Sequence, residues 1–185
     1  MSVPLFPALD GMTTLTETLL VPTVDEVVNY LDDRRASVAS SNGSRLHCTY
    51  GLCALVPVYI EAMAKIRNAT GRIHIMFWLR CLARRDPRVV EGAIQHLNDR
   101  SAAVRMHACE VLAYSLRDDV IPHLELLLHH PVPGTREDAA AALDAIQHKN
   151  HHYYLDRKHS GTVFWVVNPE DDPDYKPRRW QTHAV

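Results

Sequence analysis

The chain has 185 residues, 46% hydrophobic and 23% charged, enough to bury one sizeable core and too apolar for a wholly disordered polypeptide. Twenty Lys and Arg against 22 Asp and Glu leave a formal charge of -2 and a pI near 6.6, which removes the bulk electrostatic argument for a nucleic-acid binder. The N-terminal stretch lacks a basic leader followed by an apolar run and a cleavage site. No apolar stretch approaches the roughly 20 residues that span a bilayer, so the expectation is a soluble, cytoplasmic protein.

Residues 1–22 carry three prolines and several threonines and read as an irregular segment. Thr23 is a candidate N-cap with Glu26 three residues on, and Val24, Val27, Val28 and Leu31 predict a first helix to about Arg35. The small, polar stretch 36–44 reads as a loop. Leu46, Tyr50, Cys53 and Ala54 sit at helical spacing, weakened by Gly51. Pro57 then opens a helix with Val58, Tyr59, Ala62 and Ile66 on one face. Residues 68–71 read as a turn, and Ile73, Met76, Phe77, Leu79 and Leu82 continue helically in a run apolar on nearly all sides, as suits a helix packed on both sides.

From Asp86 the pattern is regular. Asp86-Pro87 opens a helix carrying Val89, Val90, Ala93, Ile94 and Leu97, and Ser101 opens a second with Val104, Ala108, Val111 and Leu112. Asp118-Asp119 turns into a third with Ile121, Leu124, Leu127 and Leu128, and Gly134-Thr135 begins a fourth with Ala139, Ala142, Leu143 and Ile146. Val89 to Val120, Ala93 to Leu124, Leu97 to Leu128, Arg105 to Arg136 and Leu112 to Leu143 are all 31 residues apart. The same step backwards reaches Tyr59, Ala62 and Ile66, then Ile73, Phe77 and Cys81, and once more Val27, Val28 and Leu31. A helical hairpin cannot bury its own apolar face, so repeated hairpins are expected to stack into an all-α solenoid spanning residues 23–149.

The signatures of tetratricopeptide and ankyrin repeats are absent from the sequence. The run D-R-S-A-A-V-R-x-x-A-x-x-x-L beginning at Asp99, followed by D-x-I-P-x-L at Asp119, resembles the short HEAT-like repeats of the phycobilin-lyase type. That resemblance covers residues 57–147 well and 24–56 poorly. It implies a HEAT-like architecture more firmly than an activity, because such repeats serve many binding roles.

After the last repeat helix, residues 150–185 change character. The run 162–168, TVFWVVN, is β-prone and apolar on both faces, and is expected to fold back as a capping strand. The next ten residues hold three prolines and the side chains Glu170, Asp171, Asp172, Asp174 and Tyr175, an exposed acidic loop. With Trp165 as an aromatic anchor, this extension is a candidate docking device for a basic partner.

The chemistry-bearing residues are otherwise modest. Four cysteines, Cys48, Cys53, Cys81 and Cys109, fall in helix-like segments and are expected to be reduced and buried. Twelve histidines include the group His148, His151, His152 and His159 beside Asp156, explained by the favourable end of a helix dipole rather than by a metal. The chain carries no G-x-S-x-G elbow, P-loop or H-E-x-x-H. Nor does it carry the His-Glu dipeptides of HEAT-like di-iron hydroxylases, so neither a catalytic site nor a cofactor is expected. Arg105 and Arg136 repeat with the period and are expected to pair with aspartates of neighbouring repeats. The non-repeating Arg80, Arg84, Arg85 and Arg88 are the better candidates for contact with a partner.

These readings favour a non-catalytic protein-binding scaffold. Small stand-alone HEAT-like bacterial proteins with such a tail resemble the immunity proteins of polymorphic, type VI or Rhs toxins, which implies occlusion of a cognate toxin. Two alternatives stay open. The repeat resemblance also permits a lyase or chaperone for a chromophore or cofactor, needing a nucleophilic cysteine at a deep pocket. The third is nucleic-acid binding through the arginine group, with affinity falling steeply with salt.

Overall fold

The computed structural model describes residues 21–163, which form eight α-helices: α1 Val24–Leu31, α2 Ala36–Tyr50, α3 Leu52–Lys65, α4 Ala69–Leu79, α5 Pro87–Gln95, α6 Ala102–Ser115, α7 Ile121–Leu127 and α8 Pro133–Gln147. Three 3-10 turns, Arg80–Leu82, Asp118–Val120 and His151–Tyr154, complete them, and no strand occurs among the described residues. Within each successive pair the two helices pack together. The second helices also pack serially, α2 on α4, α4 on α6 and α6 on α8, while α1 packs on α3 and α3 on α5.

Thr23 closes the expected capping box on α1: its hydroxyl accepts from the Glu26 amide at 3.3 Å, and its own amide donates to the Glu26 carboxylate at 2.7 Å. The helix ends at Leu31, earlier than the expected Arg35. Asp32 leaves the helix because its carboxylate accepts the backbone amides of Arg67 at 3.1 Å and Asn68 at 2.7 Å, tying the end of α1 to the start of α4.

The expected loop at 36–44 is instead the first half of α2. Its N-terminus has no side-chain cap and its residues are weak helix formers, so packing supports it rather than propensity. Ala39, Gly43, Leu46 and His47 are buried at helical spacing. A Cβ at Gly43 would lie 1.7 Å from Nε2 of His74, so only glycine lets α2 approach α4 this closely. Gly51, at φ 78°, separates α2 from α3, and Pro57 lies inside α3 rather than at its start.

Residues 68–71, read from the sequence as a turn, hold the N-terminus of α4. This shifts the repeat register. The N-caps of α4, α6 and α8 are Asn68, Ser101 and Val132, so the step is 33 residues and then 31. The residues that correspond to Ala108 and Leu112 are therefore Ile75 and Leu79, both buried, and not Phe77 and Cys81. Phe77 is 40% exposed. The first helices keep the expected 31-residue step: Tyr59, Ala62 and Ile66 are buried like Val90, Ala93 and Leu97.

At the C-terminal end the His151–Tyr154 turn packs on α6 and α8. Tyr154 is buried and its hydroxyl donates to the Met106 carbonyl at 2.7 Å. The candidate residues Trp165, Glu170, Asp171, Asp172, Asp174 and Tyr175, and all but the first two residues of the expected capping strand, lie outside the described residues.

Candidate functional site

Three arginines hold the turns inside the helix pairs. Arg72, Arg105 and Arg136 each stand four residues after the N-cap of α4, α6 and α8. Each donates from its guanidinium to the carbonyl six residues back: Ile66 at 2.7 Å, Asp99 at 2.6 Å and His130 at 2.8 Å. These carbonyls lie in the turns beyond the first helices, where no helical amide follows to bond them, and the guanidinium fork supplies a donor. The expected pairing of Arg105 and Arg136 with aspartates is thus replaced. Arg105 bonds the Thr135 hydroxyl at 3.0 Å besides its carbonyl, and Arg136 bonds a second carbonyl, that of Pro131, at 3.2 Å.

The arginine that does find an aspartate is Arg72, which the sequence reading passed over because a fixed 31-residue step misses it. Its Nε and Nη2 donate to the two oxygens of Asp99 at 2.8 and 3.0 Å, both side chains being buried. Burial works to raise the Asp99 carboxyl. The hydrogen bonds from Arg72 and the Ser101 amide outweigh it, and the net displacement is downward.

Among the expected partner-binding arginines, Arg80, Arg84 and Arg88 take different partners within the chain. Arg80, in the 3-10 turn after α4, reaches across to α6 and donates to Glu110 at 2.7 Å; its guanidinium lies 3.9 Å above the Phe77 ring. Glu110 also contacts His107 at 2.8 Å, and although burial works against it, the His107 and Arg80 contacts hold its carboxyl below the ordinary value. Arg84 donates to the Tyr114 carbonyl at 3.3 Å. Arg88 grips the N-cap carboxylate of its own helix, Asp86, at 2.6 and 2.9 Å. Arg85 is exposed, and its charge acts on the thiols of Cys53 and Cys81.

The repeats also create surface that the sequence reading did not single out. Arg67 and Arg100, 33 residues apart at the turns of successive pairs, line with Lys65 and Gln95 a groove of 560 Å³. Beside α7, a cleft of 230 Å³ is lined by Ile94, Leu97, His123, Leu126 and His130. Leu126 is 73% exposed, and Leu128, the repeat partner of buried Leu97, is 37% exposed. Nearby Val132 is also exposed. The apolar pattern at 120–132 announces these leucines; only the packing tells which of them face out.

Between α2, α3 and α4 lies a buried aromatic and imidazole cluster. His47 stacks on His74 with centroids 5.6 Å apart and meets the edge of Trp78 at 4.7 Å; Tyr59 Oη lies 2.9 Å from His47 Nε2. Burial lowers His74 to about 4, and burial together with the neighbouring His74 lowers His47 to about 3, so both are neutral at physiological pH. Of the cysteines, Cys48 is exposed, contrary to expectation, while burial pushes the thiols of Cys81 and Cys109 up to about 12.

The fold and these contacts define a class: a protein of paired helices repeated along the chain, with buried arginines bonding both within a pair and across to the next. A family model described as HEAT repeats matches residues 57–150, just over half the chain, and the chain belongs to that family. Neither the curated proteins nor the solved structures contain a match to it. Among the described residues no helix is long and apolar enough to cross a membrane.

Proposed function

We propose that this chain is a non-catalytic protein-binding scaffold, a HEAT-like solenoid whose partner is a cognate bacterial toxin domain that it occludes. HEAT repeats commonly serve protein interaction, and the small repeat domain with an appended aromatic and acidic tail is what motivates the toxin. The observation that carries the binding reading is the apolar edge at α7. The 31-residue step that buries Leu97 leaves Leu128 partly exposed, and Leu126, which lines the cleft beside α7, is 73% exposed, in a frame whose other periodic leucines are inside. An exposed leucine lining a cleft with Ile94, Leu97 and Leu127, rimmed by polar groups such as His123 and His130, suits a desolvated contact with another polypeptide.

The test is co-expression with the polypeptide encoded next to the gene, followed by calorimetric titration of the purified pair. A 1:1 complex that silences a toxic activity is expected, with Leu126→Glu weakening it by at least about tenfold while leaving the helical content unchanged. A neighbouring polypeptide that neither binds nor harms growth would overturn the toxin reading.

A further inference from the structure

We infer that Asp144, His148 and His159 form a binding site for one divalent transition-metal ion of the zinc class, joining the last repeat helix to the segment that follows it. Asp144 and His148 are four residues apart near the end of α8 and so share a face; His159 arrives from beyond the His151–Tyr154 turn. One ligand atom from each lies within 4.8 Å of the other two. Nε2 of His159 is 2.6 Å from the Asp144 carboxylate, and Nδ1 of His148 is 3.1 Å from it and 2.9 Å from the Asp144 carbonyl, a bond that an ion would replace; the three atoms are close enough to converge on one cation at the roughly 2.0–2.2 Å of a zinc shell. Two imidazoles and one carboxylate are the donors that borderline cations favour over calcium or magnesium.

The third ligand is held in place by a built loop. Tyr153 stacks on the His159 ring, centroids 3.6 Å apart and 12° from parallel. The His159 backbone adopts φ 52°, unusual for a residue with a side chain, and its amide donates to the Asp156 carbonyl at 2.9 Å. The Asp156 carboxylate in turn accepts from the Ser160 and Gly161 amides at 2.9 and 2.7 Å. The histidine group read from the sequence thus divides: Asp156 caps the loop, His151 is buried against Tyr114, and Asp144 replaces them as the acidic ligand. Asp144 and His159 also line, with Glu137, Ala140, Ala141 and Arg157, a groove of 430 Å³ from which water or a donor from another molecule can reach the remaining coordination positions.

Calorimetric titration of the full chain with Zn²⁺ alone, at pH 7.5 in a non-chelating buffer, tests this. One saturable site per chain is expected. It should weaken by at least about tenfold in Asp144→Asn and in His159→Ala, since even outer-shell changes cost metal sites that much, and persist in a His129→Ala, His130→Ala control. The absorption of a Co²⁺-loaded sample should show the ligand-field bands of a low-symmetry site and lose them in the same two variants. Should Zn²⁺ fail to saturate a site, or should both variants bind it as the parent does, the trio is a hydrogen-bonded clasp only and the inference is overturned.

Discussion

Asp99 sits at the meeting point of two repeats, and its surroundings show how much one side chain can hold. Its carboxylate takes the Arg72 fork and the Ser101 amide, while its carbonyl takes Arg105. Removing one partner of a buried pair strands the other charge, so Arg72→Leu or Asp99→Asn should lower unfolding free energy by about 3–5 kcal/mol. Urea denaturation followed by circular dichroism measures this, and a change near zero would remove the pair from the forces joining repeats. The stacked histidines give a pH signature. The unfolded chain takes up a proton on each near pH 6.5, whereas the folded protein resists until about 4 for His74 and about 3 for His47. The unfolded state therefore binds more protons below pH 6.5, and stability is complete above that pH and falls beneath it. The slope is about 1.4 kcal/mol per pH unit for each histidine. Unfolding midpoints at pH 7, 6 and 5 should decline accordingly, and His74→Phe should flatten the decline.

Among the elements, α2 and α4 depend on close approach rather than on intrinsic preference. A Cβ at Gly71 would lie 2.4 Å from the carbonyl oxygen of Leu31, a backbone atom that cannot rotate away. Gly71→Ala should therefore cost about 1–3 kcal/mol, although alanine ordinarily favours a helix, and a melting temperature equal to or above that of the parent would refute the contact. At the N-terminal edge, Thr23→Ala removes the capping box of an eight-residue helix and should cost roughly 0.5–2 kcal/mol. Hydrogen exchange should show that loss confined to α1 and its neighbours.

For the whole molecule, repeats that touch mainly their neighbours should report damage locally. Tyr154 closes the C-terminal end against α6 and α8, and Tyr154→Ala, which leaves a cavity and removes the hydroxyl bond to the Met106 carbonyl, should cost about 3–5 kcal/mol. Amide exchange is expected to accelerate in α6 and α8 well before α1 and α3; uniform acceleration would mean that the repeats unfold as one unit.

The four periodic helices α5 to α8 and the Thr23 and Asp86 caps could be read from the sequence, because apolar periodicity and cap chemistry are local signals. The first half of helix α2 could not, since its share of the core stripe is Ala39 and Gly43, residues whose burial depends on a partner helix being present. The 33-residue step and the role of Arg72 were hidden by a two-residue difference in turn length, a tertiary matter. The candidate arginines Arg80 and Arg88 were visible as charges, but their commitment to Glu110 and Asp86 was not. Likewise His148 and His159 were legible as a group, while Asp144 became their companion only when α8 and the following turn were laid side by side. Sequence by itself determined that helices repeat here, because burial of an apolar face every three to four residues is written in the chain. Which charged and polar groups remain for function was decided by tertiary structure, because that depends on which partner each one meets across the gap between repeats.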